Sequence, residues 1–389
     1  MKSTLIAFAH AEQDPACRFR IGQFVPYLEN AGWHVSLRTR HPPFPWITPA
    51  WTHSFLRAGY REAAFFCRRW RRRWDIHAAS RFDVVFLNRD LLEGKFIYED
   101  LLFRRNPRVI FDFDDAIFLG EKERHIGQIC ERSAWVIAGN EYLASFARRF
   151  SPRVSVIPTV IDTCQYKPSS NFRSGEPVRI GWLGSGQSIR ETLYPHLPIL
   201  AELQRELGFE LVIVSSPRPD RKDRSLAWRF IEWSPLVETQ IADLFDVGIM
   251  PLVDEPFQRG KCGCKILQYM SASLPVIASP VGINRELIDD GSRGVLASDK
   301  AEWGAALATL IADEGLRHRM GQAGRTFVEQ HYSLRRWFPD LLSIIEAVAA
   351  GQTPAPVSLP LRSREAAASR YATASRSGPP TRPPERSAD

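Results

Sequence analysis

No apolar run in this sequence reaches the roughly 20 residues that cross a bilayer as a helix. The N-terminus reads as a strand-like MKSTLIAFAH, so no secretory leader is expected. Cysteine is scarce: Cys17, Cys67, Cys130, Cys164, Cys262 and Cys264 are scattered over 389 residues and outline no disulfide framework. Free thiols in a reducing cytoplasm are therefore expected. The Cys262-x-Cys264 pair has no matching Cys or His pair nearby, which favours small residues in a tight loop over a zinc half-site. Repeats of the solenoid type are also lacking. These absences leave a cytoplasmic globular protein as the expectation.

What is present fits that class. Hydrophobic residues make up 44% of the chain and charged residues 24%, and the length suffices for two domains with full cores. The net charge of +7 points to an anionic partner: a nucleotide, a membrane face or a nucleic acid. Charge alone does not choose among them. From Gly351 to Asp389 the composition shifts to Pro, Ser, Ala and Arg, so 351–389 is expected to be a disordered tail.

Short runs rich in Val, Ile and Phe at 4–9, 33–37, 82–87, 108–113, 135–138 and 154–157 predict strands, and the apolar spacing over 19–31 predicts a helix. A polar stretch without periodicity at 167–171 reads as a linker. A second set of strands follows at 178–183, 209–215, 247–252 and 275–279, with helices at 189–207, 264–271, 300–313, 315–331 and 333–349. The region 217–233 carries no clear pattern. Strands alternating with helices imply an α/β fold of two doubly wound parallel-sheet, Rossmann-like domains. The expected boundaries are 1–165, 172–332, a final helix over 333–350, and the tail.

Ligands in such sheets bind beyond the carboxyl ends of the strands. In the second domain that zone holds Arg259, Lys261 and Lys265 beside Gly260 and Gly263. Cations and bare backbone at a helix start suit a phosphate-bearing ligand. The first strand of that domain ends in Gly184-Ser185-Gly186, which offers N–H groups to an anion, with Arg190 one turn on; a plain strand-to-helix turn is the alternative. In the first domain, Asp112, Asp114 and Asp115 cluster at a strand end. A carboxylate there would accept an acceptor proton or orient a sugar; a helix cap and a chelated metal are the other readings.

The run Lys265-Ile266-Leu267-Gln268-Tyr269-Met270, then Pro275-Val276-Ile277-Ala278-Ser279, then Gly282 with Glu286-Leu287-Ile288, resembles the donor-binding half of glycosyltransferase family 4, whose architecture is GT-B. The resemblance extends more thinly over about the first 350 residues. It implies a glycosyltransferase that moves a sugar from a nucleotide-sugar donor to an acceptor hydroxyl with retention, in polysaccharide or cell-envelope glycan assembly. It implies a last helix that crosses back to the first domain, and no metal or other cofactor. Lys265 with Lys261 would stabilise the leaving diphosphate, and Gly282, Ile283, Asn284 and Glu286 would line the donor sugar. Asp114 and Asp115 stand where relatives carry a His-Asp pair facing the cleft. Family members usually carry two glutamates seven residues apart; those places hold Gly260 and Gln268 here, and Gln268 keeps hydrogen-bonding capacity for a ribose. An Arg and a Lys of the opening loop are likewise replaced by Trp182 and Gln187. A non-catalytic binding protein on this fold and a nucleotide-sugar epimerase are the alternatives.

On the acceptor side, Arg18 and Arg20 are candidates for acceptor phosphates, with helix-face solvation as the competing account. Asn140 is a cleft-facing candidate and a competent N-cap. Over 55–74, Arg57, Arg61, Arg68, Arg69, Arg71, Arg72 and Arg73 interleave with Phe55, Leu56, Tyr60, Phe65, Phe66, Trp70 and Trp74. Such a segment suits an anionic membrane surface at the inner face of the membrane, and a lipid-linked or glycan acceptor. A helix with one packed and one solvated face is the plain alternative. No recognisable nucleic-acid module surrounds it, so no nucleic-acid partner is expected.

Overall fold

The computed structural model describes residues 2–39, 67, 69–92, 96–168, 177–218, 226–288 and 291–358. Two six-stranded sheets form the protein, and every strand pair within them is parallel. The first contains β1 (Ser3–Ala9), β2 (Trp33–Thr39), β3 (Val84–Asn88), β4 (Val109–Phe113), β5 (Trp135–Ala138) and β6 (Val154–Val156), in the order β2-β1-β3-β4-β5-β6. The second contains β7 (Arg179–Ser185), β8 (Glu210–Ser216), β9 (Trp228–Glu232), β10 (Val247–Met250), β11 (Val276–Ala278) and β12 (Gly294–Leu296), in the order β12-β11-β10-β7-β8-β9. The central strands are apolar without alternation because helices cover both faces. The strand order reverses between β1 and β3 in one sheet and between β7 and β10 in the other, and each reversal opens a crevice at the carboxyl ends.

The doubly wound reading therefore holds, with local departures. The helix expected over 19–31 is three pieces: Pro15–Arg20, a 3-10 turn at Gly22–Phe24, and Val25–Asn30. Ile21 leaves the helical region at φ −139°, which lets the chain turn between them. The helix expected over 189–207 is also broken, into a π turn at Ile189–Leu193, a 3-10 turn at Tyr194–His196 and an α-helix at Leu197–Leu207. Pro195 and Pro198 lack the N–H that a continuous α ladder needs. Two short strands, β9 and β12, went unforeseen; β9 is a half-exposed edge strand without apolar alternation.

The last helix, Leu334–Ala349, packs on the first sheet. Its Leu334, Trp337, Leu341, Ile344, Ile345 and Val348 are buried with Leu5, Phe86, Ile110 and Trp135. Each such side chain contributes roughly 1.5–3 kcal/mol on burial, so this helix is part of the first lobe's core. The outgoing and returning chains meet at the crossing: the Ile161 amide donates to the Tyr332 carbonyl (2.9 Å) and the Leu334 amide to the Ile161 carbonyl (2.9 Å). Arg325 ties the outgoing chain to the second lobe, donating to the carbonyls of Tyr166 (2.7 Å) and Thr163 (3.1 Å).

The segment after Gly351 departs from the disorder expected there. The Val156 amide donates to the Val357 carbonyl at 2.8 Å, and the Val357 amide to Ser155 Oγ at 3.0 Å, so 351–358 runs along the edge of the first sheet. The remainder of the tail, the linker residues 169–176, and residues 55–66 and 68 of the basic-aromatic segment lie outside the described residues. Among the described residues, no helix is long and apolar enough to cross a membrane.

Candidate functional site

The carboxyl edge of the first sheet is a set of arginine–aspartate pairs. Arg20 is buried; its Nε lies 3.1 and 3.2 Å from the two oxygens of Asp112, and Nη1 donates to the Ile157 carbonyl at 2.8 Å. Asn88 donates to the same carboxylate at 2.9 Å. Burial pushes the Asp112 carboxyl up against the pull of Arg20. The expectation that Arg20 meets acceptor phosphates is thus corrected: it points inward and holds β4 to the crossing segment.

Arg89 follows β3 and sits at φ +62°, a region costly for a residue with a side chain. Its Nη2 lies 2.8 Å from Asp114 Oδ1 and 2.5 Å from Asp115 Oδ2. Burial works against the guanidinium charge, yet the two aspartates hold Arg89 above its ordinary value. Burial also pushes the Asp115 carboxyl up, with Arg89 opposing and Asp114 adding to the rise. Both candidate acids are therefore clamped by one arginine that the sequence motif did not single out.

Across the cleft, β7 ends in Gly184 and Ser185, and the Ser185 hydroxyl accepts from the Ser188 amide at 3.2 Å. A Cβ on Gly184 would lie 2.5 Å from Trp182 and 2.9 Å from Lys265 Cε, so the bare backbone there makes room for the lysine stem. Lys265 is half-buried at the start of the helix Cys264–Ser271. Its Nζ donates to Ser188 Oγ at 3.0 Å and lies 5.4 Å from the Trp182 ring centre. Burial, with the charge of Lys261 second, brings Lys265 down to about 8. Lys261 is half-buried over the Phe257 ring at 5.0 Å, and its charge acts on Asp115 from across the cleft. Among the described residues neither lysine has an ion-pair partner. Arg190 is exposed on the π turn, and Gly186 is buried against Pro217.

The loop between these lysines and the preceding short helix docks on the first lobe. Asn140 caps its own helix by accepting from the Leu143 amide (3.0 Å), and its amide donates to the carbonyls of Gly260 (3.0 Å) and Lys261 (3.2 Å). The Cys262 thiol donates to the Asp114 carbonyl at 3.1 Å. A Cβ on Gly260 would lie 2.6 Å from the Ala116 Cβ, so this position has no room for a side chain against the facing lobe. Gly282, at φ +54°, presses on the Arg259 carbonyl, where a Cβ would come within 2.6 Å. Ile283 and Asn284 are buried behind it, and the Asn284 amide donates to the Ser279 carbonyl at 3.0 Å. Gly282, Ile283 and Asn284 thus brace the loop, while Glu286 is half-buried in the first turn of the helix Asn284–Ile288.

A second bridge between the lobes centres on Glu238, buried in the helix Pro235–Thr239. Arg18 grips its carboxylate with both terminal nitrogens, one at 3.0 Å. Trp233 Nε1 donates to it at 2.8 Å and the Tyr166 hydroxyl at 3.0 Å. Gln268 in turn donates to the Tyr166 hydroxyl at 3.1 Å and is buried. Arg18, read as an acceptor-phosphate ligand, is committed here, and the Gln268 amide is engaged. Glu238 and Tyr166 escaped notice because their partners lie far off in the chain.

The second lobe carries the further likeness. Residues 179–313 match the family of glycosyl transferases group 1. Among solved structures, HepE from Anabaena in complex with UDP and glucose is similar over 89% of this chain and 100% of its own, at 14% identity and a TM-score of 0.62. Sucrose-phosphate synthase from Thermosynechococcus elongatus is similar over 96% of this chain and 100% of its own, at 17% identity and a TM-score of 0.60. A glycosyltransferase from Rickettsia africae is similar over 89% and 98%, at 13% identity and a TM-score of 0.63. No curated protein matches the chain. At these identities the likeness is one of fold, and the fold is GT-B.

Proposed function

We propose that the protein transfers a sugar from a nucleotide-sugar donor, held by the second lobe, to an acceptor hydroxyl presented by the first. The observation that carries this reading is the Lys261–Lys265 pair at the β7/β10 crevice. Two ammonium groups sit beside a glycine-lined strand end with no ion-pair partner among the described residues, and one is held below its ordinary pKa. A diphosphate would relieve that repulsion. As the glycosidic bond breaks, the departing diphosphate gains negative charge, and fixed cations with nearby N–H groups lower the barrier most at that stage. Closure of the lobes through the 260–262 loop limits the access of water.

The similarity to HepE, solved with UDP and glucose, supports UDP as the first nucleotide to test. Retention of configuration and a glycan or lipid-linked acceptor rest on the family resemblance. A place at the inner membrane face rests on the helix of 69–78. Arg69 is turned onto Tyr98 and Arg72 onto Phe8, whereas Trp70 and Trp74 are each 59% exposed and flanked by exposed Arg71 and Arg73. Indole rings beside arginines favour the headgroup layer of an anionic bilayer.

Isothermal titration with UDP, followed by product analysis with a panel of UDP-sugars, tests the central reading. Binding that Lys265→Ala weakens about 100-fold, together with donor turnover, supports it; no affinity for any nucleoside diphosphate refutes it. The observation that Gly260 is closed off and Gln268 is tied to Tyr166 favours a second reading, a non-catalytic binding protein. UDP affinity without turnover of any donor would select that reading, and donor interconversion without an acceptor would select an epimerase.

A further inference from the structure

The crevice at the β1/β3 reversal contains a carboxylate that the arginine pairs do not use. Asp90 follows β3, and His10 follows β1, so the two stand on opposite sides of the switch point where ligands enter such sheets. Asp90 is 8% exposed; its Oδ1 lies 3.9 Å from His10 Nε2, and its Oδ2 has no hydrogen-bond partner among the described residues. A buried carboxylate oxygen left without a donor is costly, and its persistence calls for a ligand or an ordered donor.

Asp90 is also held in place from both sides. The Arg89 amide donates to the Asp112 carbonyl at 2.8 Å, with Arg89 in its strained left-handed conformation. The Leu91 amide donates to Oε1 of Glu99 at 2.7 Å, and Glu99 is fully buried. Two locked neighbours fix the loop, so the free oxygen of Asp90 cannot easily swing to a local partner. Such support is what a preformed binding group requires.

We propose that Asp90 and His10 form the acceptor subsite: the unpartnered Asp90 oxygen accepts a hydrogen bond from a hydroxyl of a sugar or other polyol, with His10 packed beside it. This rests on the glycosyl-transfer reading for its meaning as an acceptor site, but contact with a polyol is testable separately. It also reassigns the acceptor contact away from Asp114 and Asp115, each of which already accepts from Arg89 through one oxygen.

Saturation-transfer difference NMR on the full chain, with UDP present and a panel of free monosaccharides as probes, reads the contact directly. The expected result is a signal for at least one sugar in the wild type, reduced several-fold in Asp90→Asn and lost in Asp90→Leu, with UDP affinity by calorimetry within about twofold in both variants. An unchanged far-UV circular dichroism spectrum and thermal midpoint certify that the variants are folded, whether or not UDP binds. A signal unchanged in Asp90→Leu, or no signal for any sugar in the wild type, overturns the subsite. A wild type that binds sugar through Asp90 but no UDP overturns the donor reading instead and leaves the polyol site standing.

Discussion

The two facing sheet edges solve their electrostatics in opposite ways. On the first lobe, Asp112 is met by Arg20, and Asp114 and Asp115 share Arg89, so two guanidiniums offset most of the acid charge within the lobe. On the second, Lys261 and Lys265 are brought close and left uncancelled, with a serine hydroxyl and aromatic rings for company. The difference teaches where to look for a ligand. Acids clustered at a strand end suggested catalysis, but their pairing makes most of them structural. The lysines, whose ordinary fate is a solvated surface, form the edge that an anion would complete.

The comparison is broken most severely by removing an arginine from the paired edge. Arg20→Ala leaves Asp112 buried without its counter-charge and is expected to cost about 3–5 kcal/mol of stability, read by urea unfolding. On the open edge the loss should appear in binding: Lys265→Ala is expected to weaken UDP about 100-fold in calorimetry, the scale of a charge-assisted contact, with little change in unfolding midpoint. If Lys265→Ala instead destabilised the fold as strongly as Arg20→Ala, the two edges would not differ in kind.

Between the lobes, Gly260→Glu forces a side chain against Ala116. It is expected to lower stability by about 1–3 kcal/mol, as overpacking does, with a shift in thermal midpoint as the measure. Asn140→Ala removes a cap and two cross-lobe bonds and should cost about 1 kcal/mol or somewhat more in the same assay.

A pH series sharpens the contrast. Lys265 is held at about 8, against 10.5 ordinarily. Between those values the unfolded chain binds more protons than the folded one, so the penalty this residue imposes is full below pH 8 and fades as pH rises through 10.5. A bound diphosphate favours the protonated lysine. UDP affinity is therefore expected to be level below pH 8 and to fall above it, towards about tenfold per pH unit, in calorimetry from pH 7 to 9.5. The smallest effect is expected at the surface. Replacing Trp70 and Trp74 with Ala should reduce co-sedimentation with phosphatidylglycerol vesicles while leaving UDP affinity intact.

Much of this could be read from local sequence. Strands buried on both faces announce themselves as apolar runs, which is why β3, β4 and β5 were legible to within two residues. The lysine loop was legible because glycines and cations cluster within a few positions. What escaped were partnerships at a distance: Arg18 meets Glu238 across 220 residues, and Arg20 meets Asp112 across 92. No local pattern distinguishes an arginine destined for a buried pair from one destined for a phosphate. The prolines at 195 and 198 were visible, but the helical spacing of the apolar residues around them suggested a continuous helix.

The meeting of Ile161 with Tyr332 and Leu334 has a mechanical consequence. Because both passages between the halves are laced together at a single seam, rotation about that seam would keep these backbone bonds, while sliding and twisting would tear them. On the proposed transfer reading, substrate exchange would demand only that the contacts at the mouth, around Asn140 and Glu238, let go. Each turnover would return the reacting groups to the same alignment, as a door returns to its frame.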